Sequence, residues 1–266
     1  MKHSQQESLR KRILIIGVII VAVLIGVLVF SQLHKVQPNL YEKNQEVLKK
    51  MEKADISETE KRWEKLEEQN QKTKIDPSKR NEYGIVELDN VALKKAFSNT
   101  VIVGDSFSEA IVEYEFLDSG SVIYKRGASI KSIDDLIEKV ISMKPSAIVM
   151  EFGCNDLTIY GTDIDGFIEQ YRTEIGKIKK ELPDAAIYVN SILPMTEEKQ
   201  NENEGRKKQP EYNKAIEKMC DEEGYMYIDS SFIIEKNPDL YEPDGIHVTK
   251  EYYEQWLSYL VEKAGL

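Results

Sequence analysis

From about Asn99 onward, short β-branched runs alternate with amphipathic stretches, and this alternation restricts the fold more than any other feature of the chain. Thr100-Val101-Ile102-Val103 ends at Gly104, and Ser121-Val122-Ile123-Tyr124 is closed by Gly127, so each reads as a strand followed by a turn. Residues 132–143 place Ile133, Leu136, Ile137, Val140 and Ile141 at helical spacing, with Pro145 just beyond. Ala147-Ile148-Val149-Met150 reads as a third strand, and residues 167–182 as a long amphipathic helix ended by Pro183. Ala186-Ile187-Tyr188-Val189 is the fourth strand. Residues 210–223 read as a helix stopped by Gly224, residues 225–228 as a fifth strand and residues 249–264 as a last helix. Strands alternating with helices mean βαβ units and a parallel sheet covered on both faces. The expected fold is α/β, a three-layer, doubly wound domain around a parallel five-stranded sheet. In such sheets ligands bind beyond the carboxyl ends of the strands.

The N-terminal part obeys different rules. Residues 13–30 carry no polar side chain, and Leu33 with its neighbours extends the run far enough to cross a hydrocarbon core of about 30 Å. Lipid forces backbone hydrogen bonds to close internally, so this β-branched run reads as a transmembrane helix. Arg10, Lys11 and Arg12 precede it, which puts the N-terminus in the cytoplasm and the rest of the chain outside. A cleaved signal peptide is the competing reading, but its apolar core is shorter and ends in small residues, unlike Val29-Phe30-Ser31-Gln32-Leu33. Residues 34–82 are rich in Lys, Glu and Gln and lack glycine, which suits a solvated helical stalk or an unstructured tether. The expected organisation is a basic tail over 1–12, an anchor over 13–33, a charged stalk over 34–82 and the α/β domain over 83–266.

Of the formal net charge of −11, residues 1–12 carry +3 and residues 31–82 carry +1, which leaves −15 for residues 83–266. A domain so acidic does not gain affinity by neutralising phosphates, so nucleic acid is excluded as a partner. Two cysteines rule out a disulfide-dense scaffold, and Cys154 and Cys220 lack the further His or Cys that a zinc site needs. They read as free thiols, with a disulfide open as the alternative outside a cell. Neither a metal nor a cofactor is expected.

Three strand ends carry unusual residues. The first reads Gly104-Asp105-Ser106-Phe107-Ser108, which holds a serine at a strand-to-helix turn where the helix N-terminus favours negative charge. The same residues also suit a plain turn in which Ser106 caps the next helix. The third strand ends Phe152-Gly153-Cys154-Asn155-Asp156, where Asn155 either donates to an oxyanion or closes a local Asx-turn. The last loop reads Asp244-Gly245-Ile246-His247. Apart from His34 beside the apolar run, His247 is the one histidine of residues 31–266. A serine nucleophile needs a base that titrates near neutrality, and Asp244 stands three residues away to orient it. A capping Asp beside an incidental surface His is the plainer alternative.

Taken together these residues resemble the SGNH hydrolases, the superfamily that includes the GDSL esterases and lipases. The resemblance covers about residues 99–264. Gly104-Asp105-Ser106 matches the nucleophile block, although Phe107 replaces the commoner Leu. Gly127 fits the second block by position, Gly153, Asn155 and Asp156 match G-x-N-D, and Asp244 with His247 matches D-x-x-H. The resemblance implies a flavodoxin-like SGNH fold and a hydrolase that cleaves carboxylic esters through an acyl-enzyme. Ser106 is then the nucleophile, His247 its base and Asp244 the orienting acid. The Ser106 and Gly127 N–H groups with the Asn155 amide then form the oxyanion hole. The expected substrate is a small ester or an O-acetylated cell-surface glycan. An O-acetyltransferase, a lipase or thioesterase and a non-catalytic surface-binding module remain as alternatives, and the motifs identify no protein partner.

Overall fold

The computed structural model describes residues 75–266. The tail and the apolar run lie outside the described residues, as does the stalk up to residue 74. Among the described residues no helix is long and apolar enough to cross a membrane. Arg80 and Asn81, which composition assigns to the stalk, are docked on the C-terminal helix. Arg80 pairs with Glu262, and the Asn81 amide donates to Gln255.

Five strands form one parallel sheet in the order β2-β1-β3-β4-β5. They are β1 (Thr100–Gly104), β2 (Val122–Tyr124), β3 (Ala147–Glu151), β4 (Ala186–Asn190) and β5 (Met226–Ile228). β1 and β3 are buried along their whole length, which explains why their sequences are continuous apolar runs. The sheet order reverses direction beside β1, between β2 and β3, and this places the switch point of the doubly wound topology above the end of β1.

Side chains alternate across the sheet and divide the core in two. On one face Val101, Val103, Ile148, Met150 and Val189 pack against α3 (Asp134–Met143), α5 (Ile164–Glu181) and α8 (Gln209–Glu223). On the other, Ile102, Val122 and Val149 pack against α1 (Asn90–Ala96), α2 (Ser106–Glu113), α9 (Ser231–Lys236) and α10 (Lys250–Ala264). This is the expected three-layer arrangement. Gly224 ends α8 in the left-handed conformation, as its place after the periodic pattern predicts.

One segment departs from the sequence reading. Residues 195–210, whose wealth of Glu, Asn and Lys reads as a polar loop after β4, either a flap beside the site or a solvated insertion, form two short helices, α6 (Glu197–Asn201) and α7 (Glu204–Lys207). They follow another short helix, α4 (Asp156–Tyr160), and Gly205 is buried against the backbone of Leu157. The Thr196 N–H donates to Gly245 O (3.0 Å) and the Tyr241 hydroxyl to Pro194 O (2.7 Å), so the segment is fastened to the His247 loop.

Candidate active site

The site forms where β1, β3 and the loop before α10 end together. Asp105 caps α2 by accepting the Phe107 N–H at 3.0 Å, and the turn presents Ser106 as the first residue of the helix. Ser106 Oγ lies 3.1 Å from His247 Nε2, and His247 Nδ1 lies 2.6 Å from Asp244 Oδ2. The structure therefore brings together the three residues that the motifs single out, across 141 positions of sequence. The other oxygen of Asp244 accepts the N–H groups of Ile246 and His247, each at 2.9 Å. Asp244 thus shapes the loop as well as facing the imidazole. Burial acts to raise its carboxyl, but the His247 side chain and these two N–H donors outweigh it, and the net shift is downward. Phe107, the departure from the commoner Leu, packs its ring against the imidazole, with centroids 5.4 Å apart and the planes tilted by 32°.

Gly127 occupies the third position of a turn closed by Ala128 N–H to Lys125 O at 3.0 Å. Its φ of +72° is the value that a type II turn demands at that position, which makes glycine the fitting residue there. The Gly127 N–H makes no hydrogen bond among the described residues. As the first helical residue, Ser106 likewise has an N–H with no intrahelical acceptor. The turn is held from both sides: Arg126 Nε is 2.7 Å from Glu109 on α2, and Lys125 Nζ is 3.2 Å from Asp135 on α3.

Asn155 makes no side-chain cap to its own helix, so the local Asx-turn is not what this residue forms. Its amide donates instead to Asp105 Oδ2 at 2.8 Å and to Ala128 O at 3.0 Å, tying the ends of β1 and β3 to the Gly127 turn. Gly153, two residues earlier, has a φ of +132° and lies so close to Ile192 that a Cβ there would collide with it. Asp156 is fully buried and accepts Ser129 Oγ at 2.5 Å and the Ile130 N–H at 3.1 Å. Burial pushes its carboxyl up to about 6 against those hydrogen bonds.

Ser106, Gly127, Asn155, Asp244 and His247 line one cleft of about 710 Å³. Glu109, Glu113, Arg126 and Glu242 also line it. Sequence reasoning did not single out Asp105, Glu151, Arg126 or Glu109, and it had no view of what Asp156 holds. Cys154 also lines the cleft, and burial keeps its thiol well above the usual range; Cys220 is buried on α8, and both are free.

A parallel α/β/α sheet with a serine, a histidine and a carboxylate in line at its carboxyl edge defines the class of α/β hydrolytic enzymes with a serine at a strand-to-helix turn. The model of the GDSL-like lipase/acylhydrolase family matches residues 117–255, just over half of the chain, and the chain belongs to that family. It is an SGNH-type carboxylic ester hydrolase. The match begins after Ser106 and takes in Gly127, Asn155, Asp156, Asp244 and His247. Among solved structures, a GDSL-like lipase from Bacteroides thetaiotaomicron superposes with a TM-score of 0.51 at 20% identity, over 66% of this chain and 94% of that one. A variant of an acetyl-xylooligosaccharide esterase from Geobacillus stearothermophilus superposes with a TM-score of 0.50 at 14% identity, over 63% of this chain and 94% of that one. At such identities the likeness speaks for the fold. No curated protein sequence matches the chain.

Proposed function

We propose that the chain is a membrane-anchored, extracytoplasmic serine esterase that removes O-acetyl groups from cell-surface carbohydrate. The observation that carries the chemistry is the hydrogen-bonded line from Ser106 through His247 to Asp244, beside the free N–H groups at Ser106 and Gly127. In this reading Ser106 Oγ attacks the ester carbonyl while His247 Nε2 accepts its proton. The carbonyl electrons move onto the oxyanion, which the Ser106 and Gly127 N–H groups receive. Asn155 joins them by turning one N–H away from Ala128 O. The imidazolium, held by Asp244, then protonates the leaving alkoxide, and an acetyl-Ser106 ester remains. Water repeats the cycle with His247 as base, releasing acetate and free Ser106.

Two observations favour a short acyl group on a polar alcohol. Glu109, Glu113, Arg126 and Glu242 among the residues that line the cleft offer hydrogen-bond partners to a polar alcohol. The acetyl-xylooligosaccharide esterase from Geobacillus stearothermophilus, which shares the fold, is an enzyme of that substrate class. The location rests on the apolar run 13–30 behind Arg10, Lys11 and Arg12, with the charged residues from 34 onward as a stalk that ends before Arg80 and Asn81, which are docked on α10. A chain-length series of chromogenic esters, run with and without a sugar acceptor, tests the chemistry. Preference for acetate with release to water is expected; preference for long chains, or transfer to sugar, overturns it. Protease added to intact cells tests the topology. Release of a soluble fragment that begins after Leu33 is expected, and full protection overturns it.

A further inference from the structure

Glu151 ends β3 directly behind the nucleophile turn, and the mechanism above gives it no task. It is almost fully buried, at 8% exposed, and the Asp105 it faces is completely buried. Gly104 and Glu151 are partners in the β1–β3 register, so the Glu151 side chain lies beside the Asp105 that follows, close enough for each carboxyl to influence the other. Ser108 Oγ donates to Glu151 Oε2 at 3.3 Å. Gly104 leaves the room for this cluster: a Cβ there would sit 2.8 Å from Glu151 Oε2 and would also strike Ser108 Oγ. The remaining partners of Asp105 are the Phe107 N–H and the Asn155 amide. A buried acid thus leans on the residue that holds both the start of α2 and Asn155.

Two buried carboxyl groups side by side do not both carry charge, so one proton stays with the pair. Asp105 accepts two N–H donors at 3.0 and 2.8 Å, whereas Glu151 has a longer contact from the Ser108 hydroxyl at 3.3 Å and the Asp105 backbone N–H, and burial raises it further, so the proton resides on Glu151. We propose that Glu151 is a positioning residue, a neutral acid that donates to Asp105 and through it fixes the Asn155 amide at the oxyanion position. The inference rests on the proposed role of Asn155. Burial first, and then the charge of Asp105, raise the Glu151 carboxyl well above the usual carboxylate range. The titratable groups that face it are Asp105 at the end of β1, Cys154 on the following loop, Tyr171 on α5, and Tyr252 and Tyr253 on α10. Burial pushes the thiol and all three phenols upward, which leaves Asp105 as its charged neighbour; His247 and Asp156 act on Asp105 from outside the pair.

The test is a cycle of Glu151→Ala, Glu151→Gln and Asn155→Ala in the full-length protein. It is read as kcat, KM and the alkaline limb of the pH profile on a chromogenic acetyl ester, with thermal unfolding recorded for each variant. Glu151→Ala is expected to lower kcat by roughly 10–10² with KM little changed, as slight misplacement of a reacting group does. Glu151→Gln keeps a donor toward Asp105, so it is expected to restore most of kcat and to lack the alkaline fall that ionisation of Glu151 is expected to produce in the wild type. Combined with Asn155→Ala, Glu151→Ala is expected to add almost nothing. Should Glu151→Ala multiply fully with Asn155→Ala, or Glu151→Gln fare no better than alanine, the positioning role is wrong while the oxyanion reading stands. Should Asn155→Ala alone leave kcat unchanged, it is the oxyanion reading that falls. If Glu151→Ala does not fold, the Gln variant and its pH profile decide the matter.

Discussion

Asp244 Oδ2 stands 2.6 Å from His247 Nδ1 although both side chains are close to half exposed, at 48% and 42%. Water screens such a pair, so its force is weaker than in a buried triad. Ser106→Ala and His247→Ala are each expected to abolish most turnover, and the double variant to be scarcely worse than either, because the two act as one unit. Asp244→Ala should retain on the order of tens-fold more activity than either of them. Steady-state kcat of the four variants checks this, with organophosphonate labelling lost in Ser106→Ala. Persistent labelling there would place the nucleophile elsewhere.

Asn155→Ala should lower kcat by roughly 10²–10³ if the amide serves an oxyanion. It also strips buried Asp105 of a hydrogen-bond donor, so a loss of about 1–3 kcal/mol in stability is expected alongside. Kinetics and urea unfolding of the same preparation separate the two effects. A loss of stability with unchanged turnover would mark Asn155 as purely structural.

Gly127 has open space where a Cβ would go, so the cost of Gly127→Ala comes from its φ of +72° alone. That cost is about 1–2 kcal/mol, or a rearranged turn that carries the N–H away. The expected outcome is a folded protein with reduced kcat and nearly unchanged KM. Unaltered turnover would remove the Gly127 N–H from the oxyanion hole.

Asp156 makes stability depend on pH. Its carboxyl sits at about 6 in the folded protein, against about 3.9 in an unfolded chain. The folded state therefore binds more protons between these values, and stability falls as pH rises through that window, the cost being fully present above about 6. Two pKa units correspond to roughly 3 kcal/mol. Asp156→Asn keeps an acceptor for Ser129 and Ile130 but has no such titration. Urea unfolding at pH 4 and pH 7 should show a smaller drop in the variant than in the wild type. Equal drops in both would show that Asp156 does not titrate in this window.

The carboxyl-edge residues were legible because the chemistry of the site uses scarce types. One imidazole in residues 31–266 besides His34 leaves little choice of base, and Ser106, Asn155 and Asp244 each follow a strand or precede a helix. The strands were legible because β1 and β3 are buried on both faces, which makes them continuous apolar runs. Residues 195–210 read as a loop because α6 and α7 carry mostly polar side chains. Their order comes from contacts with α4 and the His247 loop, which local composition does not encode.

The sequence by itself determined the parallel α/β class, the strands and most helices within a few residues, and the residue types that meet at the carboxyl edge. Periodicity, turn residues and burial act locally and leave their mark in neighbouring positions. Only the tertiary structure decided that Asn155 is held by Asp105, that Asp156 grips the Gly127 turn, and that Glu151 shares its burial with Asp105. These are pairings across tens of residues, and each exists because strand order places two chain segments side by side. The strength of a buried carboxyl group, and the charge it keeps, depend on which segment that neighbour is.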